Sequence, residues 1–281
     1  MQTFDTIQAT KQFLAEARKL NKTIGFVPTM GALHEGHLEL MRRAKRENNL
    51  LAVSVFVNPI QFNNTSDLEK YPRDLEKDKR LLESVGCDLL FAPGVEEMYP
   101  EEKVTEKFDF GKLEQVMEGA FRPGHFNGVA VVVKRLFNII EPDKAYFGEK
   151  DFQQLAIIQK LVEMENMPLR VVPCPIVRET DGLAMSSRNE RLTPAERKQA
   201  PFIHQTLQEA VQLKNNKSPE EVKQWVKEKF AGKPEFRLEY FEIADDRMLQ
   251  PVSNWTDSDG VVGFIAAFLG EVRLIDNIRF Y

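Results

Sequence analysis

The chain contains little cysteine: its 281 residues include two, Cys87 and Cys174, and each lies in an apolar segment. Their separation fits no metal-ligand spacing, so we expect buried thiols in a reducing compartment. The sequence also lacks an apolar run long enough to cross a bilayer, and residues 1–20 contain no signal-peptide core. These absences predict a cytoplasmic protein that has no membrane partner.

Positive charge is also scarce, since 38 Lys and Arg stand against 43 Asp and Glu, for a net charge of −5. Binding to a nucleic-acid backbone normally requires a basic face, so nucleic acid is not expected as a partner. Three motifs are missing as well: Gly-x-x-x-x-Gly-Lys-Ser/Thr, Gly-x-Gly-x-x-Gly and Gly-x-Ser-x-Gly. Their absence excludes ATP binding by a P-loop and disfavours a nicotinamide dehydrogenase or a serine hydrolase.

The sequence does contain a regular alternation of apolar and amphipathic segments. The apolar, strand-like segments are residues 23–27, 50–57, 88–92, 144–147 and 170–177. Helical patterns lie between them, at residues 38–48, 73–85, 128–140 and 151–164. Strands that are apolar on both faces and separated by helices predict an α/β fold with a doubly wound parallel sheet.

The pattern changes after residue 177. A polar loop leads to helical patterns near residues 194–214 and 219–230, which are followed by strand-like segments at residues 237–243, 260–269 and 272–277. Helices followed by a meander of strands are typical of a small α+β domain. We therefore predict two domains, residues 1–177 and a smaller C-terminal domain of residues 178–281.

A histidine-containing turn follows the first predicted strand, in residues 28–37. A strand that ends in a glycine-containing turn and leads into a helix places backbone N–H groups and the helix dipole around an anion. His34 and His37 lie one helical turn apart, so their side chains share one face. The turn therefore predicts contacts with the phosphates of a nucleoside triphosphate. Two surface histidines without a shared role are the alternative, and a metal site is disfavoured because no third ligand is near.

Other polar turns also follow predicted strands, where a parallel sheet binds its ligands. Residues 58–61, Asn-Pro-Ile-Gln, offer amide donors and acceptors, and residues 147–154 contain a lysine for phosphates and Gln154 as a substrate donor. Residues 185–189, Met-Ser-Ser-Arg-Asn, could clamp a phosphate, and the basic turn at residues 121–126 is a weaker candidate. Ordinary solvated loops remain the alternative for each of these turns.

Several of these segments together resemble a known family. The turn His34-Glu35-Gly36-His37 resembles the His-x-Gly-His signature of the nucleotidyltransferase superfamily, and Met185-Ser186-Ser187-Arg188 resembles its second, Lys-Met-Ser-Lys-Ser signature. The chain more specifically resembles the pantothenate synthetase family. The six blocks that carry this resemblance are residues 28–34, 55–62, 71–73, 122–126, 147–155 and 181–189, with residues 274–277 similar to the end of the family sequence.

The resemblance implies a reaction in which pantoate, ATP and β-alanine give pantothenate, AMP and pyrophosphate through a pantoyl adenylate. It also implies a Rossmann-like N-terminal domain that binds ATP and pantoate, a C-terminal lid and a homodimer. His37 would be the proton donor, with His34 and Lys150 as further catalytic residues. Gln61 would contact both pantoate and β-alanine, and Gln154 would contact pantoate. The implied ATP site is Met30, Gly31, Ala32, Leu33, His34, Glu35, Gly36, His37, Gly148, Glu149, Lys150, Asp151, Val177, Met185, Ser186, Ser187 and Arg188.

Asn58 and Arg122 occupy further motif positions that could contact substrate. Some family members carry paired acids after Tyr-Pro-Arg, but here Lys77 interrupts the acids of residues 74–79. We therefore expect no metal site formed by the protein, and Mg²⁺ arriving on the ATP phosphates.

Two alternatives from other classes remain at this point. One is an adenylyltransferase that keeps the nucleotide on its product, and the other is an ATP-binding module without catalytic activity. The acidic pI and short C-terminal region disfavour a tRNA synthetase.

Overall fold

The structure is a computed structural model and describes residues 1–62, 68–69, 71–100 and 106–281. These residues form two compact units. The N-terminal unit contains Met1–Phe110, Arg122–Glu149 and Gln154–Pro175. The C-terminal unit contains Ile176–Tyr281 together with two earlier segments, Gly111–Phe121 and Lys150–Gln153.

A parallel sheet of six strands forms the centre of the N-terminal unit, in the order β1-β4-β3-β2-β5-β6. The strands are β1 (Gln2–Phe4), β2 (Ile24–Thr29), β3 (Leu50–Val55), β4 (Leu89–Phe91), β5 (Lys144–Gly148) and β6 (Arg170–Cys174). From β2 the chain adds β3 and then β4 on one side, and later adds β5 and β6 on the other. The strand order therefore reverses between β2 and β5, which is where doubly wound sheets bind ligands.

Helices connect these strands and continue into the C-terminal unit. They are α1 (Ile7–Lys19), α2 (Glu35–Glu47), α3 (Leu75–Ser84), α4 (Val95–Met98), α5 (Met117–Phe121), α6 (His125–Ile140), α7 (Phe152–Met164), α8 (Pro194–Gln199), α9 (Phe202–Leu213) and α10 (Pro219–Ala231). Helix α2 shows why they form: Leu38, Met41 and Ala44, three residues apart, are buried against Leu51 and other residues of the sheet. Such spacing places apolar side chains on one helical face.

The C-terminal unit contains an antiparallel sheet of β7 (Phe236–Asp245), β8 (Val261–Leu269) and β9 (Val272–Arg279). Its core joins Leu207 of α9 and Val226 of α10 to Phe241 and Ile265 of the sheet. Helices α8 and α10 each begin with a capping box and a proline in the first turn, at Thr193 and Ser218. The predicted fold class, a doubly wound parallel sheet with a second, smaller α+β domain, is confirmed.

Several element boundaries differ from the predicted ones. The predicted helix over residues 194–214 is two helices, because Pro201 has no N–H to continue the first. Strand β6 ends at Cys174 rather than at Val177, whose carbonyl instead accepts the N–H of Met185. Strand β1 was not predicted, because three residues are too few to show a period. In the described part of the chain, no helix is both long and apolar enough to span a membrane.

Candidate active site

The turn after β2 carries the predicted phosphate-binding residues. Two consecutive residues adopt left-handed backbone angles, Gly31 with φ 80° and Ala32 with φ 50°. The N–H of Gly31 donates to Thr29 Oγ1 at 3.1 Å. The N–H groups of Ala32 and Leu33 donate to the carboxylate of Asp78, at 3.0 and 2.8 Å.

These bonds correct one expectation. The turn was expected to direct its backbone N–H groups at an anion, but those of residues 31–33 point into the protein. Glu35 and Gly36 lie in the first turn of α2, where backbone N–H groups have no carbonyl acceptor within the helix itself. These N–H groups and the helix dipole are therefore what the backbone of this segment offers to a phosphate.

His34 and His37 lie side by side at the start of α2, as their spacing predicted. Their ring centroids are 4.0 Å apart, and both side chains are half-buried. The backbone N–H of His34 donates to His37 Nδ1 at 3.3 Å. Because Nδ1 accepts this bond, a neutral His37 carries its proton on Nε2, which makes Nε2 a hydrogen-bond donor.

Gln61 lies after β3, and its amide is held by neighbouring side chains. Its Nε2 donates to the Sδ of Met30 at 3.0 Å, and its Oε1 accepts from Asn58 Nδ2 at 3.1 Å. Gln61 is buried to 9% exposure, so its amide is oriented before any ligand arrives. The structure thus brings Gln61 next to Met30, a residue of the turn after β2.

A second set of contacts supports Asn58 and Gln61. Tyr99 Oη donates to Asn58 Oδ1 at 2.9 Å, and burial raises the pKa of Tyr99, which keeps its hydroxyl protonated. His125 Nδ1 donates to the carbonyl of Gln61 at 2.9 Å. A Cβ on Gly128 of α6 would lie 2.6 Å from the carbonyl oxygen of Ile60, so glycine permits this close approach.

Polar residues also follow β5, the strand on the other side of the sheet reversal. Gly148 ends β5, and Glu149 comes directly after it in the N-terminal unit. Gln154 lies in the first turn of α7 and is half-buried. Its neighbour Gln153 is buried and bonds to backbone atoms of the C-terminal unit, so the two adjacent glutamines have different environments.

Lys150 and Asp151 belong to the C-terminal unit. The Lys150 side chain is 15% exposed, and its Nζ lies 3.4 Å from Asp151 Oδ2. Asn277, near the end of β9, donates from Nδ2 to the Lys150 carbonyl oxygen at 3.1 Å. The backbone at Lys150 is therefore fixed by a residue that is distant in sequence.

Residues 177–185 form a small hairpin in the C-terminal unit. The N–H of Met185 donates to the carbonyl of Val177 at 3.0 Å. This bond joins two residues that were both predicted to contact the nucleotide. Arg178 is held by Asp276 through two bonds of 2.6 and 2.9 Å, a bidentate pair that fixes the base of the hairpin. Ser186 then accepts the N–H of Arg188 at 3.3 Å and starts the next turn.

The predicted site residues thus fall into two groups. The N-terminal unit holds Met30, Gly31, Ala32, Leu33, His34, Glu35, Gly36, His37, Gln61, Gly148, Glu149 and Gln154, and the C-terminal unit holds Lys150, Asp151, Val177, Met185, Ser186, Ser187 and Arg188. Sequence reasoning missed supporting roles for Asp78, Tyr99, Gly128 and Asn277. A usable signal existed for Asp78, which lies on the buried face of α3 together with Leu82. In the described ranges, no three His, Cys, Asp or Glu side chains are grouped to hold a metal ion.

Comparisons with known proteins agree with this architecture. The pantoate-β-alanine ligase family matches residues 2–279. A pantothenate synthetase of Porphyromonas gingivalis is 52% identical over 280 residues, covering 100% of this chain and 99% of that protein. The crystal structure of pantothenate synthetase from Thermus thermophilus is 46% identical, with a TM-score of 0.93 and 100% coverage of both chains.

A second crystal structure is the pantoate-β-alanine ligase of Francisella tularensis, complexed with β,γ-ATP and β-alanine. It is 34% identical and has a TM-score of 0.83, with coverage of 100% of this chain and 98% of that chain. The resemblance inferred from six sequence blocks is therefore confirmed over the full length. The chain belongs to the pantoate-β-alanine ligase family.

Proposed function

We propose that this protein condenses (R)-pantoate with β-alanine at the expense of ATP, giving pantothenate, AMP and pyrophosphate. The observation that carries the proposal is the full-length family match over residues 2–279. The geometry supports it, because a histidine pair and an oriented glutamine follow adjacent strands at the ligand-binding edge of the sheet. The ATP and β-alanine bound by the Francisella relative also support it.

The first step activates a carboxylate, which is a poor electrophile. A pantoate carboxylate oxygen attacks the α-phosphorus of ATP, and the bond to the pyrophosphate oxygen breaks, which leaves pantoyl adenylate. Negative charge accumulates on the phosphate oxygens. We assign its stabilisation to His34, His37, Lys150 and Arg188, so catalysis rests on positioning and electrostatics. The hydrogen bond to His37 Nδ1 places the proton of the neutral ring on Nε2, and this supports a donor role for His37.

The second step forms the amide bond. The β-alanine nitrogen attacks the acyl carbon, the bond to the AMP oxygen breaks, and the nitrogen loses a proton. A free alkylamine has a pKa of about 10 and is therefore protonated near neutral pH. Because only the neutral amine has a lone pair for the attack, β-alanine must lose a proton before it reacts. We assign Gln61 to both pantoate and β-alanine and Gln154 to pantoate. The buried, oriented amide of Gln61 supports its assignment.

ATP enters as its magnesium complex, so Mg²⁺ is part of the substrate. We assign the nucleotide contacts to Met30–His37, Gly148–Asp151, Val177 and Met185–Arg188. In this proposal residues 1–177 bind ATP and pantoate, and residues 178–281 act as a lid that shields the water-labile adenylate. A cytoplasmic homodimer completes the proposal, and light scattering after gel filtration tests the dimer.

The deciding experiment measures AMP and pyrophosphate release from ATP, with pantoate and β-alanine supplied separately and together. We expect AMP and a pantothenate mass when both are present, and ATP–pyrophosphate exchange with pantoate alone. A product that retains the nucleotide would instead indicate an adenylyltransferase. Absence of any pyrophosphate release would indicate an ATP-binding module without catalysis.

A further inference from the structure

Asp78 is a buried carboxylate that the proposed mechanism does not use. It lies on α3 with 1% of its surface exposed. Oδ1 accepts the N–H of Leu33 at 2.8 Å and Oδ2 accepts the N–H of Ala32 at 3.0 Å. Both oxygens therefore bind the turn that precedes the histidine pair, 45 and 46 residues earlier in the chain.

The turn needs such an anchor because its backbone is strained. Ala32 has φ 50°, a left-handed conformation that a residue with a Cβ rarely adopts. Gly31 also has a positive φ, and a Cβ at that position would lie 2.8 Å from Asp78 Oδ2. Strained residues persist when the surrounding structure holds them. Here Thr29 Oγ1 accepts the N–H of Gly31, and the carboxylate of Asp78 accepts the N–H groups of Ala32 and Leu33.

The hydrogen bonds of Asp78 also argue against a role as a metal ligand. Burial raises the pKa of Asp78, while the backbone N–H groups of Leu33 and Ala32 oppose that rise by stabilising the charged form. Both carboxylate oxygens of Asp78 accept a backbone N–H from the turn, so we assign this carboxylate to holding the turn. In the ranges that the structure describes, it also lacks the further His, Cys, Asp or Glu neighbours of a metal cluster.

We propose that Asp78 is a positioning residue of the ligase reaction, whose carboxylate fixes the turn of residues 30–33 and thereby places His34 and His37 for catalysis. The proposal rests on the proposed function. Asp78 touches no substrate in this scheme, and it acts through the backbone that leads directly into the N-terminus of α2. A displacement of about 1 Å at a reacting centre can lower a rate about 100-fold, so loss of this anchor has a large effect.

The test replaces Asp78 by asparagine, which has nearly the same size. One oxygen then becomes an amide donor that faces a backbone N–H, so one of the two bonds is lost. Asp74→Asn is the matched control, because Asp74 is the N-cap residue of the same helix and accepts the N–H of Lys77 at 2.9 Å. Asparagine caps as well as aspartate, so this variant is expected to keep normal activity.

Two measurements read out the effect. Hydrogen exchange should accelerate at the amides of Ala32 and Leu33 in Asp78→Asn and stay unchanged in Asp74→Asn. In ATP–pyrophosphate exchange, Asp78→Asn should lower kcat about 100-fold while the KM for pantoate stays close to the wild-type value. A lower kcat with an unchanged KM indicates misplaced histidines, whereas general damage to the substrate site would also raise the KM for pantoate.

A double-mutant cycle with Ala32→Gly tests the strain directly. Glycine adopts positive φ freely, so the turn depends less on its anchor. We expect the loss caused by Asp78→Asn to be smaller when Ala32→Gly is already present. Equal losses in both backgrounds would contradict the proposed mechanism of anchoring.

Other outcomes would overturn the proposal. One is an Asp78→Asn protein with normal kcat and normal exchange at Ala32 and Leu33. Another is an activity loss that excess Mg²⁺ restores, which would make Asp78 a metal ligand. If Asp78→Asn does not fold, Asp78→Ser, which leaves room for a water acceptor, is measured in the same way. If the wild type itself shows no pantoate-dependent exchange, the proposed function fails, and hydrogen exchange still tests the anchor.

Discussion

At the scale of single residues, the hydrogen bond to His37 bears on the catalytic role that we propose for this residue, which can take two forms. His37 Nδ1 accepts the N–H of His34 at 3.3 Å, so the proton of a neutral His37 ring lies on Nε2. That proton can stabilise a phosphate oxygen by a hydrogen bond, or it can be transferred. The first role needs a donor at the Nε2 position, whereas the second needs an imidazole.

Substitution of His37 distinguishes these roles. His37→Ala should lower kcat about 10²–10³-fold, about 2.7–4 kcal/mol, because one charge-stabilising donor is lost. His37→Gln places an amide N–H near the former Nε2 and should recover part of that loss. Steady-state kinetics of AMP release measure both variants. No recovery in His37→Gln would favour proton transfer, and normal turnover in His37→Ala would remove His37 from the chemistry.

Sequence reasoning at this scale found polar residues that follow strands, such as His34, His37 and Gln61. It could not find residues that act on the backbone of a distant segment. Asp78 binds amides 45 and 46 residues away, and Asn277 binds a carbonyl 127 residues away. The helical period of α3 could mark Asp78 as buried, but the amides that it binds are set by the tertiary fold and are not encoded in motif spacing or local period.

At the scale of elements, Glu47 ties the end of helix α2 to strand β5. Its carboxylate lies 2.9 Å from Arg43 Nε on the same helix, and it meets Lys144 Nζ at 3.2 Å and Tyr146 Oη at 3.0 Å on β5. The hydrogen bond from Arg43, which outweighs partial burial, lowers the pKa of Glu47 to about 2. The helix that begins at the histidine pair is thus fixed at its other end by a charged network.

The lowered pKa predicts a pH-dependent contribution to stability. Because the folded-state pKa is below the unfolded value of about 4.3, the contribution is complete above that value and is lost as pH falls towards about 2. Glu47→Gln should therefore reduce the free energy of unfolding at pH 7 by about 1–2 kcal/mol after allowance for solvent screening. The difference from wild type should shrink between about pH 5 and pH 2.

Urea unfolding at several pH values measures this difference. Glu16→Gln is the matched control, since Glu16 pairs with Lys19 at 2.7 Å but both side chains are at least 66% exposed. That variant should unfold like the wild type at every pH. A Glu47→Gln difference that does not depend on pH would contradict the assigned role of the charge.

The elements themselves were largely predictable from period and apolar content. The predicted strands at residues 23–27 and 50–57 correspond to β2 and β3, because buried parallel strands are uniformly apolar. The ends of elements were less predictable, as Val177 shows. Its apolar neighbours extend the strand pattern, but its carbonyl pairs with Met185 in a hairpin that only tertiary contacts create.

At the scale of the whole molecule, the chain contributes two early segments to its C-terminal unit. Glu118 of α5 accepts from Arg273 of β9 at 2.6 and 3.0 Å and from Tyr240 of β7 at 2.8 Å. Gln153 adds bonds to the carbonyls of Leu113 and Val116 at 2.7 and 2.8 Å. The predicted boundary after residue 177 divides the chain at one point, because sequence patterns report local order and do not show which early segments pack with later ones.

These contacts predict the behaviour of a fragment. Residues 1–177 alone would retain Glu118 but lack Arg273 and Tyr240, so the segment Gly111–Phe121 would lose these partners. Limited chymotrypsin digestion with mass spectrometry should cut this segment in the fragment and spare it in the full chain. Equal resistance in both proteins would show that Gln153 and local contacts suffice to hold it.

The pairing of Glu118 with Arg273 also has a consequence for synthesis of the protein. The two residues are 155 positions apart. At about 5–20 residues per second, a ribosome needs about 8–30 s to reach Arg273 after it has added Glu118. During that interval the carboxylate of Glu118 has been synthesised but Arg273 has not. The C-terminal unit therefore cannot complete this ion pair until its last strand, β9, has been translated.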